Sequence, residues 1–170
     1  MIRKFLLFLA LLTLLLSPLP AQEKAHPITT HELGWMNNLE EAKAIALKEG
    51  KPIILFLHSQ RCFYCPKLIE DVFPRPEVQQ FLTENFVKLD LDVATGSDSI
   101  EEATADQAPE RFIVSMTPAI LFMGPKEEKL YRKGKKHMII YGFWKPDELI
   151  TWGKEALKRF EKLYGGTYAK

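Results

Sequence analysis

Cys62 and Cys65 are the two cysteines of this 170-residue chain, and the stretch Ser59-Gln60-Arg61-Cys62-Phe63-Tyr64-Cys65-Pro66-Lys67 spaces them Cys-x-x-Cys. Two thiols that close can supply half of a metal site, form a small structural staple, or pass electrons. Structural zinc usually needs four protein ligands, with a second Cys or His pair at ligand spacing. The chain has no other cysteine. His58 is near, but His26, His31 and His137 do not pair at that spacing, so no metal is expected. A staple across so short a loop removes little entropy from the unfolded chain. Electron transfer is the chemistry that these two residues suit best.

That chemistry depends on where the motif stands. Before it, Lys51-Pro52 leads into Ile53-Ile54-Leu55-Phe56-Leu57, a continuous apolar run suited to a strand covered on both faces. After it, Pro66 to Val72 reads as helix. The first turn of a helix has unpaired N–H groups and the positive end of the dipole. A thiolate there is stabilised, and its pKa falls below the free value of ~8.5. Cys62 is then the expected nucleophile, exposed at the helix mouth. Cys65, one turn inward, is expected to be more buried and to act second.

The rest of the chain supplies the frame. Asn38 and Glu41 mark a helix start in the manner of a capping box. Leu39, Ala42, Ile45 and Ala46 share one face, and Gly50 ends the helix. Pro74 and Pro76 break the helix after the cysteines, and Glu77 to Asn85 reads as another. Phe86 to Asp92 is a strand, Thr95 to Asp98 a turn, and Ile100 to Phe112 a helix. Met116 to Met123 reads as an apolar strand, with Pro118 near its head. Strands at Lys129–Arg132 and Met138–Tyr141 are expected around a charged turn, and Pro146 opens a last helix. The order β-α-β-α-β-β-α behind a leading helix describes an α/β domain with a central sheet.

The ends and composition set the surroundings. Arg3 and Lys4 precede an apolar run from Phe5 to Leu16, and the small residue Ala21 follows. This pattern describes a secretory signal peptide at residues 1–21, cut near Ala21. The run is shorter than the ~20 residues a spanning helix needs. Residues 22–170 are then one exported domain with no membrane span after cleavage. Charge is nearly balanced, with 23 basic against 22 acidic residues, which gives no electrostatic case for a nucleic-acid partner.

Phe56 to Cys65, followed much later by Met116-Thr117-Pro118, resembles the thioredoxin superfamily. The stretches "EDVFPRPEVQQFLTENFVKLDLDV", "MTPAILFM" and "YGFWKPDELI" are similar to periplasmic thioredoxin-like proteins of the SoxW type and, less closely, to the C-terminal domain of the reductase DsbD. The resemblance covers about residues 33 to 160. It implies a thioredoxin fold: a central mixed sheet flanked by helices, here with an N-terminal helical extension. It also implies a cis Pro118 beside the cysteines, with Thr117 offering its backbone to an extended partner segment. Phe63 and Tyr64 would touch that partner. In this family the cysteine pair cycles as a disulfide, and no other cofactor is implied.

Two positions depart from the family pattern. Phe56 stands where a buried Asp is common, and His58 where Trp is frequent. Proton transfer at Cys65 must then use water, His58, Glu70 or Lys88. Phe63-Tyr64 holds no cation, which argues for a reductant over a strong oxidant. The expected function is reduction of disulfides or thiol adducts on periplasmic partner proteins. A membrane thiol transporter of the DsbD or CcdA kind would supply the electrons. A dithiol oxidase or isomerase, or a non-catalytic peptide-binding module, are the alternatives.

Overall fold

The structure, a computed structural model, describes residues 27–93, 112, 114–130, 132–133, 136–137 and 139–168. The leader at 1–21, the turn at 95–98 and all but the last residue of the helix expected at 100–112 lie outside the described residues.

Helix α1 spans Leu39–Glu49. The Asn38 side chain accepts the Glu41 N–H at 3.0 Å, and Gly50 ends the helix at φ 64°, a left-handed conformation natural to glycine. Strand β1 is Ile53–His58. Helix α2 begins at Cys65–Lys67 and widens into a π-helical turn over Leu68–Val72, where Phe73 N–H reaches back five residues to Leu68 C=O at 2.8 Å. Helix α3 is Pro76–Asn85, and strand β2 is Val87–Asp92.

Strand β3 is Ala119–Met123, shorter than the sequence suggests. Met116 to Pro118 are a loop, and the Thr117–Pro118 peptide bond is cis. Among the described residues, strands β4 (Arg132–Lys133) and β5 (Lys136–His137) pair with each other in a separate two-stranded sheet. Strand β6 is just Ile140–Tyr141, and helix α4 is Pro146–Tyr168. The charged hairpin therefore stands apart from the main sheet, and the sheet's last strand is a two-residue piece beside β3.

The main sheet runs β2-β1-β3-β6. Strand β1 is parallel to β2 and antiparallel to β3, and β6 is antiparallel to β3. Ile53, Leu55 and Leu57 face one core with Leu39, Ala42 and Ala46 of α1. Ile54 and Phe56 face the other, with Leu68, Val72, Phe73, Leu82 and Trp144 from the helices and loops above them. That second core includes both cysteines.

One row breaks the apolar pattern. Lys88, Asp90 and Asp92 of β2 pair in register with Ile54, Phe56 and His58, so they point to the cysteine side of the sheet. A segment before α1 lies along this edge. Met36 bridges to Leu89, and Trp35 packs against Phe56 and Phe73 at ring-centroid distances of 5.9 and 4.8 Å.

Lys88 secures this segment. Its side chain is buried, and its Nζ donates to Leu33 C=O at 2.6 Å, Thr83 Oγ1 at 3.1 Å and Gln79 Oε1 at 3.3 Å. Burial holds the ammonium below its ordinary 10.5. A lysine with a lowered folded pKa binds fewer protons folded than unfolded between that lowered value and 10.5. Stability should therefore rise with pH across that window. Lys88→Met leaves three acceptors short of a donor and is expected to cost about 1–3 kcal/mol. It should also flatten the alkaline rise. Urea unfolding at a series of alkaline pH values measures both. An unchanged slope in the variant would show that Lys88 is not the titrating group.

Candidate active site

The cysteines sit where β1 gives way to α2. The chain leaves the sheet at His58 and turns through Ser59-Gln60-Arg61, with Cys62 N–H donating to Ser59 C=O at 3.0 Å. The helix then starts at Cys65, and Pro66 occupies a first-turn position where a missing N–H costs little. Cys62 and Cys65 are joined as a disulfide, with their Cα atoms 5.4 Å apart. The Cys65 N–H donates to Cys62 Sγ at 3.1 Å. The first helical donor is thus aimed at the sulfur of Cys62.

Exposure differs from expectation in degree. Cys62 is 8% exposed and Cys65 4%. The order is as read from the motif, but Cys62 is buried where the motif predicts an exposed sulfur. The two residues between them take the surface, with Phe63 74% exposed and Tyr64 47%. Their rings meet edge to face at 5.1 Å. Lys67 Nζ lies 5.7 Å from the Phe63 centroid and 6.0 Å from that of Tyr64. The dipeptide has no cation of its own, yet the helix places one over both rings.

Thr117 and Pro118 lie against this turn. Ser59 Oγ and Thr117 Oγ1 share a hydrogen bond of 2.8 Å, and Pro118 C=O accepts the Gly142 N–H at 2.9 Å. The second contact brings in the segment after β6, whose Phe143 ring stands 6.4 Å from that of Tyr64. Three separate stretches therefore frame the disulfide. Ser59 was not singled out from the sequence, and a lone serine three residues before the first cysteine has no signal that would have found it.

His58, Glu70 and Lys88, the three candidates for proton transfer, part company. All three Lys88 donors are taken by Leu33, Gln79 and Thr83. An ammonium has only three, so it is committed to holding the edge segment. His58 Nε2 lies 2.8 Å from Asp90 Oδ1, and its ring stacks on Phe56. Asp90 Oδ2 in turn accepts the Thr30 hydroxyl. His58, Asp90 and Glu70 line one cavity with Pro27 to Thr30, Pro66 and Ile69. Glu70 is exposed at its rim, and Pro66 adjoins Cys65. A smaller cavity shares Thr30, His58 and Asp90 and adds His31 and Asp92. The alternating Lys-x-Asp-x-Asp of β2 could have pointed to Asp90, because that row faces the side the helices should cover.

Comparison with known proteins fits this geometry. A family model described as Thioredoxin-like matches residues 34–125. Spermatogenesis-associated protein 20 of Rattus norvegicus is 28% identical over 135 residues, which is 73% of this chain and 16% of that protein. The chain thus spans a small part of the length of that relative. Among solved structures, a thioredoxin from Thermus thermophilus superposes with a TM-score of 0.56 at 21% identity, over 77% of this chain and 93% of its own. A DsbH oxidoreductase superposes with a TM-score of 0.50 at 18% identity, over 84% and 95%. At such identities the likeness shows the fold. The four-stranded mixed sheet flanked by helices is the thioredoxin fold. Among the described residues, no helix is long and apolar enough to cross a membrane.

Proposed function

Because this chain belongs to the thioredoxin-like family, we propose that it is an exported thiol–disulfide oxidoreductase that reduces disulfides or thiol adducts of periplasmic partner proteins. The observation that carries this reading is the Cys65 N–H directed at Cys62 Sγ. In the reduced protein that donor favours the thiolate of Cys62. Thr117, whose hydroxyl meets Ser59 Oγ, would offer its backbone beside it to an extended partner segment.

Cys62 thiolate attacks one sulfur of the partner disulfide, and the other partner sulfur leaves as a thiolate and takes a proton. Cys65 then loses its proton and attacks Cys62 Sγ. The Cys62–Cys65 bond reforms, and the partner's second thiolate departs. Two electrons pass from the pair to the partner. A dithiol on a membrane transporter of the DsbD or CcdA kind would return them. A place beside the SoxW-type proteins belongs to the same proposal, as does export by a leader at 1–21.

The proton of Cys65 needs an acceptor, and Phe56 cannot supply one. His58, held by Asp90, faces the cavity that runs beside Pro66. In this reading it takes the proton through water in that cavity, with Asp90 orienting the ring. His58→Gln and Asp90→Asn should each slow resolution of a mixed disulfide by about tenfold or more, while the first attack by Cys62 stays close to its original rate. Rapid-quench analysis of the two steps separates them. Equal slowing of both steps would show that the pair only supports the fold.

The reduction potential tests the direction. Equilibration with thiol buffers should give a value well below the ~−120 mV of a strong oxidant. A potential near that figure would make the protein an oxidase, and the reductase reading would fail.

A further inference from the structure

The three stretches that frame the disulfide have a common character. Residues 59–67, 114–119 and 139–145 contain Arg61, Lys67 and Lys145 and no carboxylate, in a chain whose charges otherwise nearly cancel. Arg61 and Lys67, which flank the cysteine pair along the chain, are exposed, and among the described residues neither forms an ion pair. Lys145 is partly offset, since its own N–H is capped by Glu148, so the contrast rests on Arg61 and Lys67. Between these cations the surface is apolar. Phe63 is 74% exposed, Met116 55%, Tyr64 47% and Phe143 45%, large fractions for side chains of this kind.

Exposed rings held beside a reactive centre favour an apolar partner. Exposed cations that form no ion pair favour an anionic one. Resting on the oxidoreductase reading above, we propose that this face selects protein partners whose reactive cysteine lies in an extended segment with apolar residues next to it and acidic residues flanking those. The apolar side chains would lie over Phe63, Tyr64 and Phe143, and the carboxylates would meet Arg61 on one side and Lys67 on the other. Such pairs at a solvated rim act mostly on the rate of encounter and fade with salt.

The test uses the reduced full chain and two short peptide disulfides. Both have Leu and Phe beside the cysteine, one flanked by three Glu and the other by three Lys. Each rate is divided by that of dithiothreitol with the same peptide, which removes the effect of the flanks on the peptide's own sulfur. Hydroxyethyl disulfide serves as an uncharged small substrate. The acidic peptide is expected to react about tenfold faster than the basic one at low ionic strength. The ratio should shrink towards one at high salt. It should also fall at least about threefold in the double variant Arg61→Gln/Lys67→Gln. Equal rates, a faster basic peptide, or a preference that neither salt nor the double variant moves would overturn the proposal. Failure to reduce hydroxyethyl disulfide as well would instead strike at the oxidoreductase reading, and this selectivity would fall with it.

Discussion

Cys62→Ser should abolish disulfide reduction, by at least about a thousandfold, because a serine hydroxyl neither ionises near neutral pH nor exchanges with a disulfide. Cys65 cannot take over. It is 4% exposed, and its N–H serves Cys62. The companion change, Cys65→Ser, has a different expected result. The attack by Cys62 proceeds and the product stays covalently bound, since nothing remains to resolve it. Non-reducing mass analysis of the Cys65→Ser protein after exposure to periplasmic extract should find partners attached through Cys62. Reduction of insulin disulfides measures the loss in the first variant. Should Cys62→Ser retain turnover, or keep every partner interaction and cellular effect of the parent protein, the chain would be a binding module and the electron-transfer reading would be wrong.

The second large effect concerns stability. Trp35→Ala is expected to lower the free energy of unfolding by about 3–5 kcal/mol. Trp35 is 3% exposed and packs against Phe56 and Phe73. These two rings meet each other at 5.1 Å and share a core with both cysteines. Removing the indole therefore opens a cavity in the layer beneath the disulfide and frees the segment that Lys88 and Met36 tie to β2. Trp35→Phe should cost much less. It keeps most of the ring contact and deletes an indole N–H that is buried with no partner among the described residues. Chemical denaturation of the two variants gives the comparison. Equal losses would mean that the N–H, not the packing, carries the effect.

The fold was legible in the sequence wherever a strand or helix has a simple pattern. Ile53 to Leu57 reads as a doubly covered strand and is one. Asn38 and Gly50 bound α1 at both ends. The motif itself pointed to the candidate site, because a Cys-x-x-Cys between a buried strand and a helix has few other uses. The misses have physical causes. Met116 to Pro118 share the apolar character of the strand that follows, so periodicity could not separate loop from strand. The short strands at 129–141 are rich in Lys and Arg, which suits a free hairpin as well as a sheet edge. Lys88 has the look of a surface lysine, and only the meeting of Leu33, 55 residues away, with Gln79 and Thr83 of α3 makes it a buried anchor. The partnership of His58 with Asp90 depends on the register between two strands 30 residues apart, which no local signal encodes.

The bridge from Met36 to Leu89 has an effect beyond positioning Trp35. An open outer strand is a template on which a second copy of a protein can add its own strand, and repeated addition gives fibres. Here the outer flank of β2 is occupied in part by the chain's own N-terminal segment, through Met36 N–H to Lys88 C=O and Asp90 N–H to Met36 C=O. On the opposite flank β6 is two residues long, too brief to seed such growth. Among the described residues the sheet therefore ends in a partly covered strand on one margin and a two-residue strand on the other, and neither offers a long open template.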